Sequence, residues 1–323
     1  MKNPFYSILI LFVLLVSGST YAQYDLVDEK VKTYPAKFTD SKPLADKIAA
    51  DFKSDAERAR AIFTWIALNI NYDVKAYYTQ DNNGIAYSYT TPEDKIKKDR
   101  EFRMSLVKQT LKTGKAVCEG YASLLSNLAE QLKIEAVIIP GTSKSSYTEI
   151  GKSPKFSDHA WNALKIDGKW ELVDVTWAAG VVNSESNKFE KRFNDAYFFT
   201  APEKFFLNHF AENPKWLLTE KTAEDFAALP FYYPSYLTSD YSINADEGFI
   251  LFPKDVAVRF NIKNLKPTDR VSYITSTDNM LERVVVDEAN YFIIPPSAKL
   301  TGYITIFVNE RPLVSYKILK GRV

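Results

Sequence analysis

The chain has 323 residues, with 41 Lys or Arg against 40 Asp or Glu. This near balance gives no electrostatic basis for attracting nucleic acid or an anionic membrane surface. Its 11 glycines form no Gly-rich phosphate-binding loop, and 2 histidines and 1 cysteine, far apart in sequence, indicate no metal-ligand cluster. A single cysteine also excludes an internal disulfide, so burial of apolar side chains must stabilise the fold. We therefore expect no cofactor and no metal.

Residues 1–22 have the pattern of a signal peptide. Lys2 precedes an apolar run from Ile8 to Val16, and a small-x-small ending at Ala22 suits signal peptidase. The run is too short for an ordinary membrane span, and the cleavage site carries no cysteine for a lipid anchor. We expect a secreted or periplasmic chain that starts at Gln23 and has no membrane association after cleavage.

Two helices are predicted before the cysteine. Ser54 and Glu57 have the spacing of a capping box, and the stripe that follows places Trp65 in a helix core. Further along, Thr91 followed by Pro92 is typical of the first turn of another helix.

Cys118 lies where a turn leads into an apolar helix. The helix is indicated by a buried stripe at spacings of three, four and seven residues: Tyr121, Leu124, Leu125, Leu128 and Leu132. Unpaired N–H groups and the positive end of the helix dipole favour a thiolate at such a position. A lone cysteine there can also be a small buried hydrophobic residue, so the rest of the pattern must decide between the two.

The residues after the cysteine helix predict a β-hairpin. Its strands are expected at 159–166 and 170–177, and Asp167-Gly168 is expected to form the turn between them. With a two-residue turn, Trp161 faces Asp174, and His159 lies diagonal to Asp174 on the same face. An imidazole and a carboxylate in this relation are near hydrogen-bonding reach. A register slip of one residue would separate them, and either residue could instead have a structural role.

Together these residues predict a Cys-His-Asp triad for acyl transfer. His159 would take the proton of Cys118 or hold the thiolate as an ion pair. Asp174 would fix the tautomer and orientation of the imidazole and offset its positive charge. The thiolate would attack a carbonyl carbon and leave a thioester on Cys118.

The sequence resembles the transglutaminase-like superfamily of papain-like cysteine enzymes. The resemblance lies in four blocks, Ala59–Ile66, Val117–Ala122, His159–Asn162 and Trp170–Trp177. Later segments resemble the kyphoscoliosis-peptidase-like branch: Tyr197–Phe199, Pro202-Glu203 and His209–Trp216. The blocks occur in the right order from about Ser54 to Pro230, which makes the resemblance specific.

This resemblance implies an α+β, papain/transglutaminase-like catalytic core with Cys118 as nucleophile, His159 as general base and acid, and Asp174 as orienting carboxylate. Members include transglutaminases, peptidases, deamidases and proteins without demonstrated activity. Acyl transfer or hydrolysis at a carboxamide or peptide bond of a protein or peptide is therefore expected, and a non-catalytic binding or scaffolding protein is the alternative. Classical animal transglutaminases use a tryptophan as oxyanion donor, which this sequence does not clearly match. The backbone N–H of Cys118 is the expected donor.

The C-terminal part predicts a second domain. Short alternating strands from about Thr238 favour an all-β immunoglobulin-like sandwich at 237–323, after a catalytic domain at 23–236. The other histidine, His209, is predicted to be structural because aromatic residues surround it in sequence: Phe205, Phe206, Phe210 and Trp216.

Overall fold

A computed structural model describes residues 19–79, 88–183, 186–244, 247–252, 256–278, 280–297 and 300–320. The chain divides into two compact units. The first contains the part up to Ile138, Trp161–Phe193 and Tyr197–Phe199, and the second contains Ile139–Ala160, Asn194–Ala196 and the part from Thr200 onward. Most of the expected signal peptide, residues 1–18, lies outside the described residues. Cleavage after Ala22 and the domain division at 236/237 stay predictions.

The helices are α1 (Ser19–Lys32), α2 (Ser41–Asp51), α3 (Asp55–Asn69), α4 (Val74–Thr79), α5 (Pro92–Thr113), α6 (Cys118–Gln131), α7 (Val175–Ala179), α8 (Pro202–Phe205), α9 (Ala223–Ala228) and α10 (Pro234–Leu237). None of these helices combines the length and the apolar character that crossing a bilayer requires.

The strands up to residue 211 are β1 (Asn71–Tyr72), β2 (Lys115–Ala116), β3 (Ala136–Ser143), β4 (His159–Ile166), β5 (Lys169–Val173), β6 (Gly180–Asn183), β7 (Lys188–Lys191), β8 (Phe198–Thr200) and β9 (His209–Ala211). Those that follow are β10 (Phe231–Tyr232), β11 (Ser242–Ile243), β12 (Phe249–Phe252), β13 (Val258–Lys263), β14 (Val271–Thr275), β15 (Glu282–Arg283), β16 (Tyr291–Ile294), β17 (Tyr303–Val308) and β18 (Arg311–Lys320).

Helix α6 is the centre of the first unit, since α2, α3, α5 and α7 all pack against it. The predicted capping signals are confirmed. Ser54 and Glu57 form a capping box at the start of α3, and Thr91 caps α5 with Pro92 in its first turn. Trp65 is buried in α3, and its ring N–H donates to the carbonyl of Pro35 at 2.9 Å. Local capping chemistry thus sets where the helices around the cysteine begin.

The predicted hairpin is confirmed in its turn and register but not in the length of its second strand. Asp167 and Gly168 both have positive φ, at 49° and 82°, as a two-residue primed turn requires. Ile166 pairs with Lys169, as expected from that turn length. The prediction of a strand to Trp177 is wrong, because β5 ends at Val173 and Asp174 caps the short helix α7. The carboxylate satisfies backbone N–H groups there, which favours a helix start over strand pairing.

In the second unit, the end of β3 pairs with β9, with Ser143 opposite His209. The sheet-rich C-terminal region has one sheet in the order β10-β18-β17-β14-β15, with β12 parallel to β18, and another in the order β11-β13-β16. One apolar cluster contains residues from both sheets, including Phe260, Phe292 and Tyr316. The described residues of this region are rich in strands, which is consistent with the predicted all-β character, and its immunoglobulin-like topology stays a prediction. Strand β10 belongs to the first of these sheets, because Phe231 and Tyr232 pair with β18.

Candidate active site

Cys118 is the first residue of α6, as predicted, and is partly exposed. Val117 caps the helix with an extended backbone and makes no side-chain cap hydrogen bond. Backbone N–H groups at the start of a helix without such a cap are available to an anion. The position of the thiol therefore has the features that stabilise a thiolate.

Gly120 fixes the close approach between the start of α6 and the residues before it. A Cβ atom at this position would lie 2.7 Å from the Cβ of Ala116 and 3.0 Å from Oγ1 of Thr110. Real Cβ atoms do not tolerate the first of these distances, so a side chain would push β2 away from α6. Glycine two residues after the cysteine thus lets the chain turn directly from β2 into the cysteine helix.

Asp174 is completely buried and its carboxylate is held by the backbone. Its Oδ1 accepts the N–H of Thr176 at 2.8 Å and that of Trp177 at 3.0 Å. Its own N–H donates to the carbonyl of Tyr197 at 3.0 Å. These bonds offset the cost of burying the group and leave the carboxylate little freedom to rotate.

Tyr72 interacts electrostatically with both Cys118 and Asp174. Burial raises the pKa of the Tyr72 phenol well above its usual value, and the charges of Cys118 and Asp174 raise that pKa further. A similar combination, led by burial and including the charge of Asp174, raises the pKa of Tyr121. The first unit therefore brings together the cysteine, the carboxylate and a protonated phenol. Tyr72 carries no sequence signal of a functional role, because a tyrosine after a helix shows no functional spacing by itself.

His159 is the first residue of β4, as predicted, and is buried. In the second unit its ring centroid lies 5.5 Å from that of His209, with an angle of 41° between the planes. The ring of Phe205 stacks on that of His209, with the centroids 4.0 Å apart and 25° between the planes. His159 and His209 were treated as distant in the sequence analysis, and the fold places them side by side. Two imidazoles at this separation could supply two of the four ligands that Zn²⁺ takes.

A buried network holds the strand that carries His209. The side-chain amide of Asn208 donates to the backbone carbonyls of Lys144 and Tyr232, both at 3.1 Å, and the backbone carbonyl of Asn208 accepts the N–H of Lys144 at 2.8 Å. The residue immediately before His209 is therefore bonded to both Lys144 and Tyr232. Cys118 and Asp174 belong to the first unit and His159 to the second. Their action as one triad stays a prediction.

The comparisons with known proteins concern the part of the chain that contains Cys118. Residues 42–175 match the model of the transglutaminase-like superfamily. Kyphoscoliosis peptidase of Mus musculus is 35% identical over 178 residues, which are 54% of this chain and 24% of that protein. Kyphoscoliosis peptidase of Homo sapiens is 34% identical over 197 residues, which are 59% of this chain and 26% of that protein.

Residues 42–175 of the chain form a transglutaminase-like domain, similar to the one in kyphoscoliosis peptidase. The chain spans about a quarter of the length of these two relatives. The crystal structure of a TGase is 18% identical, with a TM-score of 0.27, and the match covers 50% of this chain and 34% of that one. A match at this TM-score adds nothing to the assignment. The domain assignment includes Cys118, His159 and Asp174 within the matched residues.

Proposed function

We propose that the protein is a cysteine enzyme that opens a carboxamide or peptide bond of a protein or peptide through a thioester on Cys118. The observation that carries this proposal is the placement of the sole cysteine at the first position of α6, within a transglutaminase-like domain. The neighbouring Asp174 is buried and held by two backbone N–H groups. A buried, rigid carboxylate is the type of group that orients a catalytic imidazole.

In the proposed mechanism, His159 accepts the thiol proton and Cys118 attacks the carbonyl carbon. The carbon–sulfur bond forms as the carbonyl π electrons move to oxygen, and the first donor to that oxygen is the backbone N–H of Cys118. The intermediate then expels the amine, which takes its proton from the imidazolium of His159. Asp174 keeps the imidazole in the tautomer that accepts the thiol proton.

Export is part of the proposal. A signal peptide ending at Ala22 would release the chain into a secreted or periplasmic environment, where it would act on proteins or peptides without nucleic acid or membrane association. Mass spectrometry of the protein secreted from its own cell type would test this. A mature N-terminus at Gln23 supports export, and a full-length chain retained in the cytoplasm contradicts it.

The pH dependence of alkylation tests the proposed thiolate. We expect iodoacetamide to label Cys118 at an appreciable rate well below the range in which an ordinary thiol ionises, because the helix start and His159 both favour the thiolate. His159→Ala should move the rate profile towards that of a free cysteine. Profiles like that of a free thiol in both proteins would contradict the proposal and favour the binding or scaffolding alternative.

A second experiment shows whether water or an amine resolves the thioester. A glutamine-containing protein and a fluorescent primary amine are incubated with the wild type and with Cys118→Ala. Covalent labelling that depends on Cys118 indicates transfer to an amine, whereas cleaved peptide or free ammonia without label indicates hydrolysis. We favour hydrolysis, because water is the abundant acceptor outside the cytoplasm. If no product of either kind forms across a broad peptide library while Cys118 is accessible, the binding or scaffolding alternative is favoured.

A further inference from the structure

Strand β1 is tied to the residues on both sides of Cys118. It runs parallel to β2, with Tyr72 paired to Ala116. The N–H of Asn71 donates to the carbonyl of Gly114 at 2.9 Å, and the N–H of Asp73 donates to the carbonyl of Ala116 at 2.8 Å. These bonds hold Tyr72 in register with the residue two positions before the cysteine.

A third tie connects β1 with the cysteine helix itself. The hydroxyl of Tyr121, one turn into α6, donates to the carbonyl of Ile70 at 2.7 Å. The residue before β1 and the first turn of α6 are therefore joined directly. Because side chains at paired positions of parallel strands leave the ladder on the same side, Tyr72 extends on the side of Ala116, from which the chain enters α6. Tyr72 cannot move relative to Cys118 without breaking one of these bonds.

The ring of Tyr72 is held in place by aromatic neighbours. The ring of Tyr77 lies at 6.0 Å between centroids and that of Phe189 at 6.4 Å. Among the described residues, none is seen to hydrogen-bond the Tyr72 hydroxyl, whereas the Tyr121 hydroxyl is used by Ile70. The Tyr72 hydroxyl also lies in the electrostatic field of the Cys118 sulfur and the Asp174 carboxylate. The aromatic part of Tyr72 is thus packed, and its hydroxyl interacts electrostatically with Cys118 and Asp174.

We propose that Tyr72 is a further catalytic residue, whose hydroxyl donates a hydrogen bond to the oxyanion that forms when Cys118 attacks a carbonyl. This inference rests on the proposed function. As the bond between Sγ and the carbonyl carbon forms, the oxygen gains the π electron pair and accepts the Tyr72 O–H beside the Cys118 N–H. When the carbonyl re-forms, the amine leaves with a proton from His159, and the phenol keeps its own proton throughout.

The protonation state of Tyr72 suits this role. An oxyanion donor must carry its proton at the working pH, and burial together with the two neighbouring negative charges raises the pKa of Tyr72 far above neutrality. The Asp174 charge would oppose an oxyanion at this place if no donor were present, since the Cys118 charge has passed to the oxygen when the carbon–sulfur bond forms. A rigid O–H dipole costs no reorganisation during the reaction, which is what makes such donors effective.

Tyr72→Phe tests the proposal, because it removes the hydroxyl and keeps the ring. We expect kcat to fall by about 10²- to 10³-fold with KM nearly unchanged. The peptide aldehyde acetyl-Leu-Leu-norleucinal forms a hemithioacetal with a catalytic cysteine, and its affinity should fall by about tenfold or more. Iodoacetamide alkylation displaces iodide without forming an oxyanion, so its rate and pH profile should stay within about twofold of the wild type.

Two further variants control the experiment. Tyr77→Phe removes the hydroxyl of the exposed neighbouring ring and should match the wild type in all three measurements. Tyr72→His, whose ring can donate a hydrogen bond, should recover part of the aldehyde affinity if Tyr72→Phe loses it. Circular dichroism melting of each variant shows whether a loss reflects unfolding.

The outcomes separate the inference from the proposed function. Wild-type turnover and aldehyde binding in Tyr72→Phe would overturn the inference and leave the enzyme proposal standing. Slower alkylation or a shifted alkylation profile in Tyr72→Phe would mean that the hydroxyl stabilises the Cys118 thiolate. This result would also overturn the inference. A wild-type Cys118 that reacts as an ordinary thiol and binds no aldehyde would overturn the proposed function, and the inference with it.

Discussion

The surroundings of α6 bury charged side chains, whereas the buried polar side chains described in the sheet-rich C-terminal region are uncharged. Near α3, the carboxylate of Asp28 accepts two hydrogen bonds from Arg60, at 2.6 and 2.9 Å, and one from Thr64 at 2.6 Å. On β4, the buried amide of Asn162 donates to the carbonyl of Ala122 in α6 at 3.1 Å. Charged and amide groups therefore determine how the elements around the cysteine meet.

The C-terminal region has a mainly apolar and aromatic interior. Phe260 and Phe292 stack at 5.3 Å with 12° between their planes, and Tyr316 packs on Phe260 at 5.8 Å. Burial of such rings stabilises a fold without demanding one exact geometry. Buried polar groups are costly unless every bond is made, so they are retained where exact positions matter. From this difference we expect substitutions of buried polar groups near α6 to affect exact positions, and substitutions in the C-terminal core to affect mainly stability.

The largest expected effect is on turnover. Asp174→Asn should lower kcat by about 10⁴-fold, because an amide cannot hold the imidazole in the required tautomer. The variant should stay folded, since an amide oxygen can still accept the N–H groups of Thr176 and Trp177. Turnover beside circular dichroism melting checks this prediction. A variant that unfolds would instead assign Asp174 a structural role.

In the C-terminal core we expect a loss of stability without a loss of turnover. Phe260→Ala should reduce the free energy of unfolding by about 3–5 kcal/mol through the lost burial and the cavity left behind. Turnover per folded molecule should stay the same. Val285→Ala is the matched control, because that side chain is 90% exposed and should change the stability by less than about 0.5 kcal/mol. Urea titration measures both, and a loss of turnover in folded Phe260→Ala would break the comparison between the two regions.

A smaller effect is expected at Lys144, which is buried although it carries an amine. Its Nζ donates to the carbonyls of Phe226 and Leu229 at 2.7 and 2.9 Å, and burial lowers its pKa from 10.5 to about 8. Between these two pKa values the unfolded chain binds a proton that the folded chain has released. The free energy of unfolding should therefore rise with pH over this window, by on the order of 3 kcal/mol.

The control for this pH dependence is Lys144→Met, which removes the titrating group and keeps an unbranched side chain. Subtracting its urea-unfolding curves from those of the wild type removes the contribution of other groups, including Lys191, whose pKa burial also lowers to about 8. The difference should increase from about pH 8 to about pH 10.5. A difference that is flat across this range would show that Lys144 keeps its ordinary pKa.

The smallest expected effect is at the start of α3. Ser54→Ala should lower the stability by about 1 kcal/mol, because it removes the hydroxyl that accepts the N–H of Glu57. Ser54→Asp keeps an acceptor at the same place and should retain most of the stability. Thermal melting of the two variants checks the prediction, and equal melting temperatures would mean that the cap contributes nothing measurable.

Much of this fold could be predicted from local patterns. The capping box at Ser54, the apolar stripe after Cys118 and the turn at Asp167-Gly168 depend on residues within one or two turns of each other, and the structure confirms them. The same holds for the alternating strands near the C-terminus. Local signals failed at Asp174, where a carboxylate within an apolar run caps a helix and does not continue the strand. The competing hydrogen bonds to its own backbone decided that segment.

The sequence by itself determined the transglutaminase-like domain, the cysteine at the start of its helix and the register of the hairpin. Only the tertiary structure brought His209 beside His159 and Tyr72 beside Ala116, because these pairs are 50 and 44 positions apart in the sequence. Contacts over such separations depend on strand pairing and on the packing of several elements at once. No periodicity within a short window records them, which is why a second histidine and a tyrosine became visible as candidates only in the folded chain.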